Sequence, residues 1–190
     1  LANEIPWGNK KNEVCYVGGI AGIRGIREVV AAMGLIQADV RLNLCGKFGN
    51  SDLEKSVKAS SGWSRVVEHG FVGREQVRDV LARSVAGIVT LHPTINYLDS
   101  LPVKMFEYMC ASLPVIASDF PLWRQIVESN QCGLLVDPLN PKAIAEAIDY
   151  LITHSAEAEQ MGKNGRRAVE EKYNWNAEEE KLLDFYRSIL

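Results

Sequence analysis

The chain has 190 residues, 47 % of them hydrophobic and 24 % charged, which is room for one generous α/β domain and a tight fit for two. That mixture excludes a disordered chain or a fibrous repeat. A formal net charge of −3 offers no basic field for nucleic acid or an acidic membrane surface, so any anion must be held by a local site.

In chain order, Leu1–Lys11 lacks the charged, apolar, small-residue order of a signal peptide. It reads as a linker from a separate N-terminal domain, with residues 12–190 as the domain proper. Short apolar runs rich in β-branched residues follow at Val14–Val17, Val40–Cys45, Arg65–Glu68, Gly87–Leu91, Pro114–Ala117 and Gly133–Val136. Helical patterns alternate with them at Arg24–Met33, Asp52–Ala59, Glu75–Arg83, Pro102–Ala111, Leu122–Glu128 and Lys142–Ile152. Repeated βα units with short connections predict an α/β fold with a doubly wound, parallel, six-stranded sheet covered on both faces. Helices without further strands follow at Ala156–Glu171 and Asn176–Leu190. Asn140–Pro141 starts the helix at Lys142, and Asn174 or Asn176 caps the last one. The apolar stripe of that last helix (Leu182, Leu183, Phe185, Tyr186, Ile189, Leu190) needs a partner, either this sheet or another domain. Cys15, Cys45, Cys110 and Cys132 sit in or beside apolar runs without CxxC spacing, which predicts buried free thiols in a reducing compartment. No stretch approaches the ~20 apolar residues of a membrane span.

Open parallel sheets bind ligands beyond the carboxyl ends of their strands. That directs attention to Gly18–Gly25, Gly46–Gly49, His69–Arg74, His92–Lys104 and Ser118–Trp123. In the first loop, Gly18 and Gly19 let the backbone approach a phosphate ahead of a helix start, and Arg24 offers two donors to phosphate oxygens. A tight turn without any ligand explains the glycines as well. A dinucleotide site fails on detail: the spacing is not GxGxxG, and the next strand ends in Cys45-Gly46-Lys47 without an acid for a ribose. Lys47 fits a solvated side chain or a ligand contact.

The fourth loop says more. Ser100 is a plausible N-cap and Pro102 suits the first helical turn. Lys104 then sits where the helix dipole disfavours a cation by ~0.3–1 kcal/mol. An anion sharing the site explains it; so does a lysine facing solvent. Two hydrolytic carboxylates would have to face one bond across ~5–9 Å. Asp99 and Glu107, eight residues apart, are separated by a rise of about 12 Å if helical, so they suit different parts of one extended ligand. Glu107 lies within Met105–Met109 and is expected to point to the strand ends as a buried carboxylate, where the two hydroxyls of a ribose would satisfy it. Tyr97, Trp123 and Trp7 suit stacking on a base or sugar, or packing in core or rim. His69, His92 and His154 lie in separate regions and read as surface histidines or isolated ligand contacts.

Asp99-x7-Glu107, continued by Tyr108-Met109-Cys110-Ala111-Ser112-Leu113-Pro114-Val115-Ile116-Ala117-Ser118-Asp119, resembles the E-x7-E region of retaining GT-B glycosyltransferases of the GT4 type. It is most similar to the variant that reads SLPxKxFEYM. YVGG…RG at Tyr16–Gly25, HGFV at His69–Val72, CGLLVDP at Cys132–Pro138 and YNW at Tyr173–Trp175 extend the resemblance, in order, over nearly the whole chain. It implies the C-terminal, Rossmann-like half of a GT-B enzyme, which holds a nucleotide-diphosphate sugar as donor substrate without cofactor or metal. The N-terminal half would bind a glycan or lipid-linked acceptor for polysaccharide or cell-envelope synthesis. A cytoplasmic location is implied, with the inner face of the membrane as a place of peripheral association for the full-length enzyme. By position, Glu107 would bind the ribose and Asp99 would lie near the sugar hydroxyls. Arg24 would replace the family's diphosphate lysine, and Val72 with Gly46–Lys47 would flank the base. Gly18, Gly19, Ser100, Leu101 and Lys104 complete the expected donor site.

The chain departs from the pattern in defined places. The first acid is Asp99 rather than Glu, Ser100 and Pro102 replace glycines, and Gly19 stands where an arginine is usual. Pro121-Leu122-Trp123-Arg124-Gln125 replaces GGxxE. Lys104 would compensate by adding charge to the diphosphate. The implied reaction is metal-independent, configuration-retaining transfer, in which fixed cations and helix amides stabilise the leaving diphosphate. That diphosphate then assists acceptor deprotonation. Alone, the chain would bind donor weakly and transfer nothing. The rivals are a sugar-nucleotide epimerase of the same fold and a non-catalytic nucleotide-binding module.

Overall fold

Each apolar run becomes a strand because its alternate side chains find a layer of helices on either face. The computed structural model describes residues 5–189; residues 1–4 of the expected linker and Leu190 lie outside them. The strands are β1 (Glu13–Val17), β2 (Arg41–Cys45), β3 (Val66–Gly70), β4 (Ala86–Val89), β5 (Val115–Ser118) and β6 (Gly133–Val136). They form one six-stranded parallel sheet, as expected, and its strand order is β3-β2-β1-β4-β5-β6. The helices are α1 (Ile26–Met33), α2 (Ser51–Lys58), α3 (Arg74–Arg83), α4 (Ile95–Leu98), α5 (Val103–Cys110), α6 (Pro121–Asn130), α7 (Pro141–Thr153), α8 (Ser155–Glu171) and α9 (Trp175–Ile189).

The period of two along β1 sorts the core into two layers. Val14 and Tyr16 join Val29, Val30, Met33, Leu42, Leu44 and Ile148 on one face. Cys15 joins Val89, Met105, Tyr108, Met109, Ala117 and Trp123 on the other. Burying each large apolar side chain stabilises the fold by about 1.5–3 kcal/mol. Cys15, Cys45 and Cys132 are buried and free, while Cys110 is only half-buried.

Helix ends follow side-chain chemistry. Asn140 Oδ1 accepts from the Lys142 and Ala143 amides (3.1 and 3.3 Å), with Pro141 in the first turn of α7. Asn174, not Asn176, caps α9, accepting from the Ala177 amide at 3.0 Å. The expected strand bounds shift by a few residues: β3 runs on to Gly70, and β4 stops at Val89, leaving Thr90 and Leu91 in the connection. The four-residue α4 was not expected, being too short to show a period. The α9 stripe finds no partner in the sheet; none of the helix's described residues is buried. Trp7 packs against the core, and Lys10 Nζ donates to the Ala82 and Ser84 carbonyls (2.9 and 2.8 Å).

Candidate functional site

β1 and β4 are neighbours in the sheet, and the strand order reverses between them. The connections that leave their carboxyl ends therefore diverge and open a crevice. Residues 18–25 form its first wall. Gly25 is left-handed (φ 74°), and a Cβ there would collide with the Thr90 carbonyl, so glycine is required. A 3₁₀ turn at Gly22–Arg24 precedes it. The buried Tyr16 hydroxyl donates to the Gly19 carbonyl at 3.1 Å and approaches the Arg24 carbonyl at 3.4 Å. Arg24 folds back over this loop, its Nη1 3.4 Å from the Gly19 carbonyl. The His92 amide donates to Ile23 O at 2.9 Å and joins the loop to the β4 side.

The second wall is the approach to α5. Ser100 does not cap this helix. Its hydroxyl points back to the Tyr97 carbonyl at 3.3 Å, and the N-cap is Pro102, which has no side chain to offer, so α5 starts at Val103 without a side-chain cap. Trp123, fully buried, donates from Nε1 to the Ser100 carbonyl at 2.6 Å and pins the segment that carries Asp99 and Leu101.

Lys104, in the first turn of α5, turns inward. Its Nζ is buried without a hydrogen-bond partner and lies 3.9 Å from the centroid of the Tyr16 ring. Burial, followed by repulsion from Arg24, lowers its pKa to about 7 against pull from Cys15 and Glu107. Arg24 and Lys104 thus share one place at the end of β1. Burial holds the Tyr16 phenol well above its ordinary value.

Glu107, about one helical turn further, corrects an expectation: it is exposed rather than buried, because it lies on the cavity side of α5 while Met105, Tyr108 and Met109 face the core. The cavity, about 870 Å³, lies between α3 and α5 and is lined by Val17, Val72, Arg74, Leu101, Phe106 and Glu107 among others. Tyr173 and Trp175, from the YNW segment, line it as well. The structure therefore joins Val72, Leu101 and Glu107 in one cavity and sets Arg24, Lys104, Gly18 and Gly19 beside it. Asp99 is exposed at the end of α4, and Lys47 is exposed at the end of β2; neither lines the cavity. His69 Nε2 lies 2.9 Å from Asn43 Oδ1 in a network with Glu13 and Arg83. His92 Nε2 lies 3.1 Å from Glu28 Oε2, too poorly aligned for a hydrogen bond.

Tyr108, Tyr16 and Trp123 hold the site yet escaped attention as its supports. The signal available was a tyrosine or tryptophan inside an apolar segment, whose polar tip must find a partner when buried. Among the described residues, no group of three or more His, Cys, Asp or Glu is placed to hold a metal ion, and no helix is long and apolar enough to cross a membrane.

Among curated proteins, the chain is 27 % identical over 186 residues to alpha-maltose-1-phosphate synthase of Mycolicibacterium smegmatis, covering 93 % of this chain and 48 % of that one. It is 26 % identical over 180 residues to alpha-D-kanosaminyltransferase of Streptomyces kanamyceticus, covering 93 % and 45 %. The chain thus spans about half the length of the curated relatives it matches. Among solved structures, sucrose-phosphate synthase from Thermosynechococcus elongatus superposes with a TM-score of 0.80 at 27 % identity over 97 % of this chain and 46 % of that one. Anabaena HepE in complex with UDP shares the fold, with a TM-score of 0.81 at 16 % identity over 96 % of this chain and 50 % of that one. A family model described as Glycosyl transferases group 1 matches residues 2–168, and the chain belongs to that family.

Proposed function

We propose that this chain is the donor-binding domain of a retaining glycosyltransferase of the SLPxKxFEYM kind, holding a nucleotide-diphosphate sugar in the crevice between β1 and β4. The observation that carries the reading is the position of Glu107: its carboxylate opens into the cavity with Val72 and Leu101, about one turn of α5 beyond the buried cation Lys104. A ribose offers two hydroxyls to that carboxylate, and the apolar side chains around it suit the flat face of a base. The diphosphate lies toward Arg24, Lys104 and the uncapped start of α5, where side-chain charge and amide dipoles reinforce each other.

In this reading Arg24 and Lys104 stabilise the leaving diphosphate. Asp99 orients the donor sugar from the exposed end of α4. The acceptor, a glycan or lipid-linked chain, reaches the sugar from a separate domain, and the domain alone transfers nothing. Full-length relatives named as transferases and a structural neighbour carrying UDP support the donor class.

Calorimetric titration of the chain with UDP, GDP, CDP and ADP tests the reading. One of the four binds, and Glu107→Ala weakens it. Equal affinity in that variant removes the ribose assignment. Silence from all four removes the donor site.

A further inference from the structure

Among the described residues, the buried side-chain polar atoms left without a hydrogen-bond partner are Glu28 Oε2, Thr90 Oγ1, His92 Nε2 and Lys104 Nζ. All belong to the walls of the crevice. Glu28 and His92 face each other, and the Thr90 backbone packs under Gly25. Lys104, the cationic side chain among them with no carboxylate in contact, has no acceptor and touches a tyrosine ring.

Resting on the donor reading above, we propose that Lys104 is a proton-linked phosphate contact: its amine lies neutral against Tyr16 without donor and takes up a proton when a diphosphate enters beside Arg24. A buried ammonium with no acceptor loses its water and keeps only the face of the Tyr16 ring in return, whereas a neutral amine loses less. Among the groups facing Lys104, Arg24 reinforces that preference, while Cys15 and Glu107 pull more weakly the other way. From β1 come Tyr16, a phenol kept protonated by burial, and Cys15, whose thiol burial pushes up to about 12. From the glycine loop comes the positive Arg24, and from α5 itself comes Glu107, whose carboxylate is turned into the cavity. Tyr97, from α4, adds a further phenol near Tyr16. The amine's value of about 7 agrees with this balance.

A diphosphate reverses it. Opposite charge within ~4–6 Å raises the affinity of an amine for its proton by roughly 1–3 pK units. The amine then takes one proton from solvent, an N–H bond forms, and no other bond changes. A shift from about 7 to about 9 makes binding near pH 8 take up roughly four-fifths of a proton.

The test is calorimetry of the chain with the same four nucleoside diphosphates near pH 8, where their phosphates are fully ionised, in Tris and in HEPES. The observed enthalpy is expected to differ between buffers by their ionisation enthalpies times the uptake. Lys104→Arg, charged at every working pH, loses the buffer dependence whatever affinity it retains. Independently of any variant, affinity of the unsubstituted chain falls by about fivefold from pH 8 to pH 9. Binding with no buffer dependence, or a dependence that survives in Lys104→Arg, overturns the proton link and leaves the donor reading standing. No binding by any of the four removes both.

Discussion

The Tyr108 hydroxyl accepts a hydrogen bond from the Val17 amide at 2.9 Å, joining the helix that carries Glu107 to the last residue of β1. It also lies 3.5 Å from the Ile88 carbonyl, so one side chain spans the two strands between which the crevice opens. Its ring lies against Gly87 so closely that a Cβ there would collide with it. Tyr108→Phe leaves the half-buried Val17 amide unpaired and is expected to destabilise the fold by about 1–3 kcal/mol. Urea unfolding checks this, and an unchanged midpoint would show the bond to be idle.

Trp123 is the second brace. Trp123→Phe removes the donor from the Ser100 carbonyl and leaves a gap beside Phe120, whose ring centroid is 4.8 Å away. A loss of about 1–3 kcal/mol is expected from the unmet carbonyl and the void together. Faster proteolysis within residues 95–102 should accompany it, read by mass spectrometry of the nicked chain. Uniform cleavage across the chain argues against local pinning.

Lys104 is buried at a cost to the fold. Its folded-state value of about 7 lies below the ordinary 10.5, so between the two the unfolded chain holds a proton that the folded chain lacks. Stability therefore rises with pH through that window and falls back toward pH 7. Lys104→Met is expected to abolish that rise and to exceed the parent in stability near neutral pH by up to about 4 kcal/mol, the gap narrowing toward about pH 10. Chemical unfolding of both chains across this range decides it. A gap that widens with pH refutes the sign.

In the proposed reading, Glu107 and Arg24 act on affinity rather than on folding, since one is exposed and the other only half-buried. Glu107→Gln keeps the shape and loses the charge, and should weaken nucleoside diphosphate binding by about tenfold. Arg24→Ala should cost a similar factor and flatten the dependence of affinity on salt, because a screened charge pair has been removed. Both keep the unfolding midpoint of the parent. Titration at low and high ionic strength separates the two roles.

The sheet was legible because parallel strands covered on both faces are written as uninterrupted apolar runs such as Gly87–Leu91 and Pro114–Ala117, and because short connections leave few topologies. The glycine loop was legible through Gly25, whose need for a left-handed backbone shows in its residue type. What escaped depends on contacts between distant segments. Glu107 sits among apolar neighbours in sequence, yet the narrow inward stripe of an eight-residue helix leaves it on the open side. Ser100 has the chemistry of a cap, but the Trp123 bond to its carbonyl and the short α4 turn fix it two residues too early. The pairing of Lys104 with Tyr16 joins residues 88 positions apart and leaves no local trace.

The strand order divides labour within the molecule. Arg24 and Lys104 lie at the centre of the sheet, where β1 and β4 are locked by Tyr108, whereas Val72 and Arg74 follow β3, an edge strand whose register slips against β2 between Leu44 and Cys45. A mutation at that margin disturbs one neighbour, while a mutation at the centre disturbs the whole domain. Selection for a different ligand would therefore find its freedom around residues 70–78, and laboratory diversification has the most room in the same stretch.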